Sequence, residues 1–175
     1  QADPNQPRPE GAMTSVVRGE PLGAGVTAWP PALEAALHRW GTTSGRMPCL
    51  TALDTAGKPT VTLTYGKLWS RSVKLAYTLL HKLGGKQEAL LKPGDKVALV
   101  YPNNDPVAFL VAFYGCLLAE LVPVPIEVPL TRKDAGSQQI GFLLGSCCVT
   151  VAMTSDACYK GLPKTPTGDI SQFKG

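Results

Sequence analysis

The sequence predicts an α/β fold built on a mostly parallel sheet, and residues 91–129 carry most of that prediction. Residues 96–101 are a short apolar run typical of a buried strand. Residues 107–119 are uncharged over the length of a helix, and a second apolar run follows at 121–128. Strand, helix and strand in so short a span indicate a βαβ unit, whose two strands lie parallel.

The first helix is predicted over residues 32–40. Its apolar side chains recur at helical spacing on one face, at Leu33, Ala36, Leu37 and Trp40. Gly41 suits the position directly after a helix, where a left-handed backbone is common. Residues 42–45, Thr-Thr-Ser-Gly, are interpreted as a plain loop, because no strand precedes them as a phosphate-binding loop would require.

A β-hairpin is predicted next. Its strands are residues 47–52 and 60–64, and its turn is the polar segment 54–59, Asp-Thr-Ala-Gly-Lys-Pro. A helix over residues 65–83 follows, because its leucines and alanines keep helical spacing, with Ser72 as the one polar residue in that stripe.

Capping signals mark three helix starts. Thr64 can cap the helix that follows the hairpin, although Lys67 stands where a capping box would place glutamate. Asp105 offers an N-cap for the uncharged helix, with Pro106 at its first position. Ser137 is predicted to cap a later helix.

The segment after the second parallel strand predicts one more helix and strand. Residues 131–136 are interpreted as a polar loop, and the helix runs from Ser137 to about Ser146. Gly141 and Gly145 each weaken such a helix by about 1 kcal/mol relative to alanine, so close packing against the sheet must hold it. Residues 149–154 are predicted to form a third buried strand.

One domain is predicted, over residues 30–159. Residues 1–29 are interpreted as a disordered linker or tail, and residues 160–175 as a loop at a truncated end. A composition of 44% hydrophobic and 17% charged residues is that of a globular protein. The net charge of +4 comes from scattered basic residues, which disfavours nucleic-acid binding because such proteins cluster them.

The cysteine pattern disfavours both a metal site and a disulfide framework. The five cysteines are Cys49, Cys116, Cys147, Cys148 and Cys158, and no CxxC or Cys/His ligand spacing occurs among them. Reduced, buried thiols in a cytosolic protein are the preferred interpretation. Cys116, inside the uncharged helix, is predicted to belong to the core.

Residues 106–126 resemble a membrane span in hydropathy, since Glu120 is their one charged residue. Pro123 and Pro125 interrupt the end of this segment, and β-branched residues alternate with them. A buried helix followed by a strand therefore explains the segment better, and no transmembrane segment is predicted.

The residues show no active site. Neither GxxxxGK[ST] nor GxGxxG occurs, and His38 and His81 are each predicted to lie on a helix surface. Asp95, Asp105 and Asp134 are interpreted as turn and loop residues. We therefore assign no catalytic, cofactor-binding or metal-binding residue, and predict that the chain by itself is a scaffold and not an enzyme.

Several ordered motifs resemble the opening of adenylate-forming enzymes, and in particular the fatty-acyl-AMP ligases. The motifs are TLTY (62–65), LKPGDKVAL (91–99), PN (102–103), AFYGCLLA (112–119) and VPVP (122–125). Others are similar to the disco-interacting protein two family: YGKLWS (65–70), IGFLLGSC (140–147) and TSDAC (154–158). The resemblance covers most of the chain from about residue 29 onward.

The resemblance implies an incomplete N-terminal subdomain of an adenylate-forming, ligase-like fold, with crossover helices on both faces of a layered sheet. Such enzymes join a carboxylate to AMP with ATP and Mg²⁺, so these cofactors, and a fatty acid substrate, are expected for the parent domain and not for this chain. The family is linked to lipid metabolism. Expected partners are the remainder of the parent chain and possible protein partners.

Three departures from the family pattern bear on these expectations. Glu120 stands where many relatives have glycine, and Lys67 replaces the common capping glutamate. The phosphate loop, the adenine-binding segment and the catalytic lysine are expected beyond residue 175. Residues 161–164, Gly-Leu-Pro-Lys, resemble the end of that phosphate loop only by chance. A protein- or lipid-binding module without catalysis is the alternative function, and a membrane-inserted segment is a third.

A sheet of only a few strands would leave an apolar edge and face uncovered, so we expect the chain to self-associate or to depend on further chain. Size-exclusion chromatography should show species larger than a monomer. A monomer that unfolds cooperatively would contradict this expectation.

Overall fold

A computed structural model describes residues 30–84, 90–128 and 135–175. The predicted tail over 1–29, and most of the predicted loop after the second parallel strand, lie outside these residues. Within them the chain runs through α1 (Leu33–Thr43), β1 (Pro48–Leu53), β2 (Pro59–Thr64), α2 (Tyr65–His81), β3 (Lys96–Pro102), α3 (Pro106–Leu118), β4 (Val122–Val128), α4 (Ala135–Ser146), β5 (Val151–Thr154) and α5 (Asp156–Gly161).

Three parallel strands form the central sheet, in the order β4-β3-β5. Val97 of β3 pairs with Pro123 on one side and with Val151 on the other. The predicted βαβ unit is confirmed, because α3 connects the neighbouring parallel strands β3 and β4.

The two faces of β3 are covered by different helices. Val97 and Leu99 pack with residues of α2 and α3, whereas Ala98 and Val100 pack with residues of α4 and α5. Successive strand residues point to opposite faces, and all four of these are at most 1% exposed. The layered fold with crossover helices on both faces is thus confirmed.

A separate hairpin and the first helix pack beside this sheet. β1 and β2 pair antiparallel, as predicted, and the hydroxyl groups of Thr51 and Thr62 lie 3.2 Å apart across the strands. Leu63 of β2 is buried with Leu37 of α1 and Leu68 of α2. These buried side chains therefore pack the hairpin against α1 and α2.

Gly41 does not end the first helix, which continues to Thr43 and is capped by Ser44. A Cβ at Gly41 would lie 2.6 Å from Cβ of Trp69, so the glycine permits close packing of α1 on α2. The interpretation of residues 42–45 as a plain loop is therefore wrong for the two threonines, whose hydroxyl groups donate to helix carbonyls one turn back.

The C-terminal elements also differ from their predicted boundaries. α4 begins at Ala135, so residues 135 and 136 are helical and Ser137 is not its N-cap. β5 begins at residue 151 and not at 149. The sequence prediction places element boundaries from the apolar residues. A helix can begin before its first packed residue, and a loop can include residues that look like the start of a strand.

The glycines of α4 face the C-terminal segment, not the sheet. A Cβ at Gly141 would collide with the carbonyl oxygen of Ser171, and one at Gly145 would lie 2.7 Å from that of Gln172. The close packing that these glycines predicted is therefore present, but its partner is a backbone segment far along the chain.

The helix α5 was missed by the sequence analysis, which placed a loop from residue 160 onward. The hydroxyl of Ser155 accepts a hydrogen bond from the amide of Cys158 at 3.2 Å, so a serine N-cap begins this short helix. Six residues are too few for periodicity to reveal them.

The reversal from α3 into β4 is a Schellman motif with glutamate in the glycine position. The amide of Leu121 donates to the carbonyl of Cys116, and the amide of Glu120 donates to that of Leu117, at 2.9 and 3.1 Å. Glu120 has φ +57°, a left-handed conformation that is costly for a residue with a Cβ. The absence of glycine at residue 120 therefore adds backbone strain to this turn but leaves the two hydrogen bonds of the motif in place.

Replacing Glu120 with glycine should therefore stabilise the protein by about 1 kcal/mol, because glycine adopts the left-handed conformation without a steric penalty. Urea unfolding followed by circular dichroism measures this change. Glu127→Gly, in extended β4, is the matched control and should destabilise the protein. Equal effects of the two substitutions would contradict this assignment of strain.

Candidate functional site

The carboxyl ends of β3 and β4 border a crevice of about 370 Å³. The helix after β3 packs on one face of the sheet and the helix after β4 on the other. In open α/β sheets, ligands bind where such connections diverge. The crevice is lined by Tyr101, Pro102, Asn103, Pro106, Phe109, Pro125, Ile126 and Glu127. This edge is the candidate functional site of the described residues.

Tyr101 contributes a phenol at the end of β3. Burial, followed by the nearby Asp105, Cys116 and Cys158, raises the pKa of Tyr101 to about 12. The phenol therefore stays protonated at neutral pH and can donate a hydrogen bond to a ligand. A general base would need a pKa near the working pH, so Tyr101 is suited to binding and not to proton abstraction.

Asp105 has a structural role, because it is the N-cap of α3. Its Oδ1 accepts a hydrogen bond from the amide of Ala108 at 3.1 Å, and Pro106 occupies the first helical position. The predicted N-cap is confirmed. The cap of α2 is confirmed as well, because Oγ1 of Thr64 accepts from the amide of Lys67 at 3.3 Å.

Asp95 and the two histidines also occupy positions that a structural role explains. Asp95 accepts a hydrogen bond from the amide of Lys92 at 3.0 Å and so closes the turn before β3. Asp134 lies outside the described residues. His38 and His81 are exposed on α1 and α2, with ring centroids 4.8 Å from Trp69 and Tyr77 respectively.

Thr154 adds a polar atom at this edge that the sequence analysis missed. It ends β5 opposite Val100, and its buried Oγ1 has no hydrogen-bond partner among the described residues. Tyr101, Asn103 and Glu127 were missed in the same way. Their shared signal is position, since each is one of the last two residues of a parallel strand or follows such a strand directly.

In the described part of the chain, the start of α3 does not fit the phosphates of ATP, and the side chains do not fit a magnesium ion. A helix N-terminus binds phosphate through free amides, but at α3 the carboxylate of Asp105 already accepts from one and Pro106 has none. Residues 30–84, 90–128 and 135–175 hold no cluster of three His, Cys, Asp or Glu side chains that could bind a metal. Lys164, in the segment with a chance resemblance to a phosphate loop, lies 3.9 Å from the ring of Tyr159.

The segment over residues 106–126 is divided between two elements. Its first part is the helix α3, and its last part belongs to the strand β4. In the part of the chain that the structure describes, no helix has the length and apolar character needed to cross a membrane.

Comparison with known proteins shows the family to which the chain belongs. The AMP-binding enzyme family matches residues 37–172, and the chain belongs to that family. Within it, the chain is homologous over its whole length to the Disco-interacting protein 2 homologs. It is 73% identical to homolog B of Homo sapiens over 175 residues and 55% identical to Disco-interacting protein 2 of Drosophila melanogaster over 178 residues.

The chain spans only about a tenth of the length of these relatives, at 11% and 10%. Solved structures share its fold. The fatty acid AMP ligase from Legionella pneumophila superposes with a TM-score of 0.67 at 19% identity, covering 88% of this chain and 24% of that one. A fatty acyl-adenylate ligase structure gives a TM-score of 0.61 at 28% identity, covering 77% and 22%. The fold is that of an incomplete N-terminal subdomain of an adenylate-forming ligase.

The cysteines should differ sharply in reactivity. Cys116 is 0% exposed, and burial raises the pKa of its thiol to about 12, so it carries almost no thiolate at pH 7.5. Cys148 is exposed. Treatment with N-ethylmaleimide followed by mass spectrometry should find Cys148 modified and Cys116 protected until denaturant is added. Modification of both at similar rates in the native protein would contradict the described core.

Proposed function

We propose that this chain forms the N-terminal part of a fatty-acyl-AMP-ligase-like domain. The parent domain would activate a fatty or short-chain carboxylate with ATP and Mg²⁺, in lipid metabolism. Membership of the AMP-binding family and the fatty acyl-AMP ligase neighbours support this proposal. The observation that carries it is the parallel sheet with a crevice at its carboxyl edge, the position of ligand sites in such folds.

The chain by itself would not catalyse the reaction. The amides at the start of α3 are capped by Asp105 or absent at Pro106, and the described residues assemble neither a nucleophile nor a metal-binding cluster. Its role would be to provide one wall of the site and the framework on which the phosphate-binding residues of the parent chain are placed. The remainder of that chain is then its main partner.

The proposed location is the cytoplasm. Cys49, Cys116, Cys147, Cys148 and Cys158 are all free thiols in the structure, which suits a reducing compartment. The scattered basic residues favour protein partners over nucleic acid.

A second candidate function is a protein- or lipid-binding module without catalysis. The observation that favours it is the structural role of Asp95 and Asp105 together with the exposed positions of the histidines, which leave Glu127 as the one carboxylate among the described residues that line the crevice. In this case the ligase-like surface would bind a ligand that is not converted.

ATP–pyrophosphate exchange distinguishes these functions. We expect a longer protein containing this chain to exchange labelled pyrophosphate into ATP when a fatty acid is present, and the 175-residue chain to give only background. Exchange by the 175-residue chain would overturn its assignment as a non-catalytic part. A folded longer protein that shows no exchange with any chain length of fatty acid would favour the binding module.

A further inference from the structure

The outer face of α2 carries a row of positive charges, here called the basic stripe. Its members, all exposed, are Lys67, Arg71, Lys74 and the C-cap residue Lys82. At about 100° per residue, these four positions fall within an arc of about 80° and extend over about 22 Å. The segment Tyr65–His81 contains no Asp or Glu. The helix therefore aligns on one surface basic residues that are scattered along the sequence, and their number equals the net charge of +4.

The protein does not neutralise the basic stripe. In the described part of the chain, none of the four side chains has a carboxylate oxygen within 4.0 Å. Asp105 lines the groove between α2 and α3 together with Arg71 and Lys74. Its Oδ1 accepts a hydrogen bond from the amide of Ala108. One negative charge beside four positive charges leaves this surface cationic.

The basic stripe also destabilises its own helix. Lys67, Arg71 and Lys74 are spaced four and three residues apart, where like charges on a helix repel each other. Lys67 lies in the first turn, where the positive end of the helix dipole repels a cation. An anionic surface placed along α2 would relieve both repulsions.

We propose that the outer face of α2 binds the surface of a membrane that contains anionic lipids. The cations would meet the head groups, which attract basic segments at such surfaces. Tyr77 and Val73 lie beside the basic stripe on the same outer face and are 56% and 41% exposed. Helices that lie on membranes combine cations with aromatic and apolar side chains in this way, and tyrosine is enriched at the interface.

The packing of α2 favours a lipid surface over nucleic acid. α1 approaches one side of α2 at Trp69, and α3 approaches another side at Leu75, in both cases over a glycine of the neighbouring helix. A helix with a neighbour on each side cannot enter the major groove of DNA, which is about 12 Å wide. Its outer face can still lie along a flat surface.

The shape of this face also favours a lipid surface over an acidic peptide. A protein partner needs anchor residues that fill pockets, whereas the outer face of a helix is convex. Lipid head groups can rearrange around fixed cations. The inference concerns binding at α2 and not at the crevice, so it does not depend on whether the parent domain forms an acyl-adenylate.

Vesicle flotation tests the proposal, because self-associated protein that is not bound to vesicles does not float. We expect the 175-residue chain to float with vesicles of phosphatidylserine and phosphatidylcholine in equal amounts, and not with phosphatidylcholine alone. Lys67→Gln with Lys74→Gln should lower the partition coefficient about 25-fold, since each cation near an anionic membrane contributes about fivefold. Raising the salt concentration from about 0.1 M to about 1 M should release the protein, because the Debye length falls from about 10 Å to about 3 Å.

The matched control is Lys58→Gln with Lys160→Gln, which removes two exposed cations from the hairpin turn and from α5. α5 packs on the opposite face of β3 from α2, so this variant should bind within about twofold of the parent sequence. Circular dichroism should show both double variants folded, since the substitutions in α2 remove a repulsion.

Four results would overturn the proposal: no flotation with phosphatidylserine, equal flotation with phosphatidylcholine alone, equal weakening in both double variants, or displacement from the vesicles by a competing polyanion. The competitors are polyglutamate and duplex DNA at the same concentration of negative charge as the lipid. Displacement by either one would assign the basic stripe to an acidic protein segment or to nucleic acid. Pyrophosphate exchange in a longer protein measures the proposed function separately from all of these results.

Discussion

Burial of both faces of β3 is the constraint on which the rest of the structure depends. Val97 and Leu99 require one apolar cover and Ala98 and Val100 another, since neighbouring side chains of a strand point in opposite directions. The helices α2 and α3 supply the first cover, and α4 and α5 supply the second. The chain that leaves β3 must therefore turn toward one face and the chain that leaves β4 toward the other. The crevice opens between these two directions.

The same constraint explains where the backbone is strained. To place β4 beside β3 with parallel register, the chain must reverse within two residues of the end of α3. Glu120 adopts its left-handed conformation at this reversal, and its carbonyl accepts a hydrogen bond from the amide of Gly94 at 2.8 Å. This hydrogen bond joins the turn before β3 to the turn before β4, so the first residues of the two strands lie side by side.

Framework and chemistry are separated in this chain. The family is one of AMP-binding enzymes, yet the helix start that could bind a phosphate is occupied by Asp105 and Pro106. Arg71 and Lys74 border a concave surface between α2 and α3, and Tyr101 of β3 also lines it. Bond formation would need groups that these described residues do not bring together.

Local signals in the sequence determined the hairpin, the central βαβ unit and the caps at Thr64 and Asp105, because periodicity and capping involve residues only a few positions apart. Glycine was misleading: Gly41 and Gly141 suggested a helix end and a weak helix, but they make room for Trp69 and for the carbonyl of Ser171. Which distant atom approaches a glycine, and which surfaces enclose a crevice or a groove, was decided by tertiary packing alone, because neither is encoded in neighbouring residues.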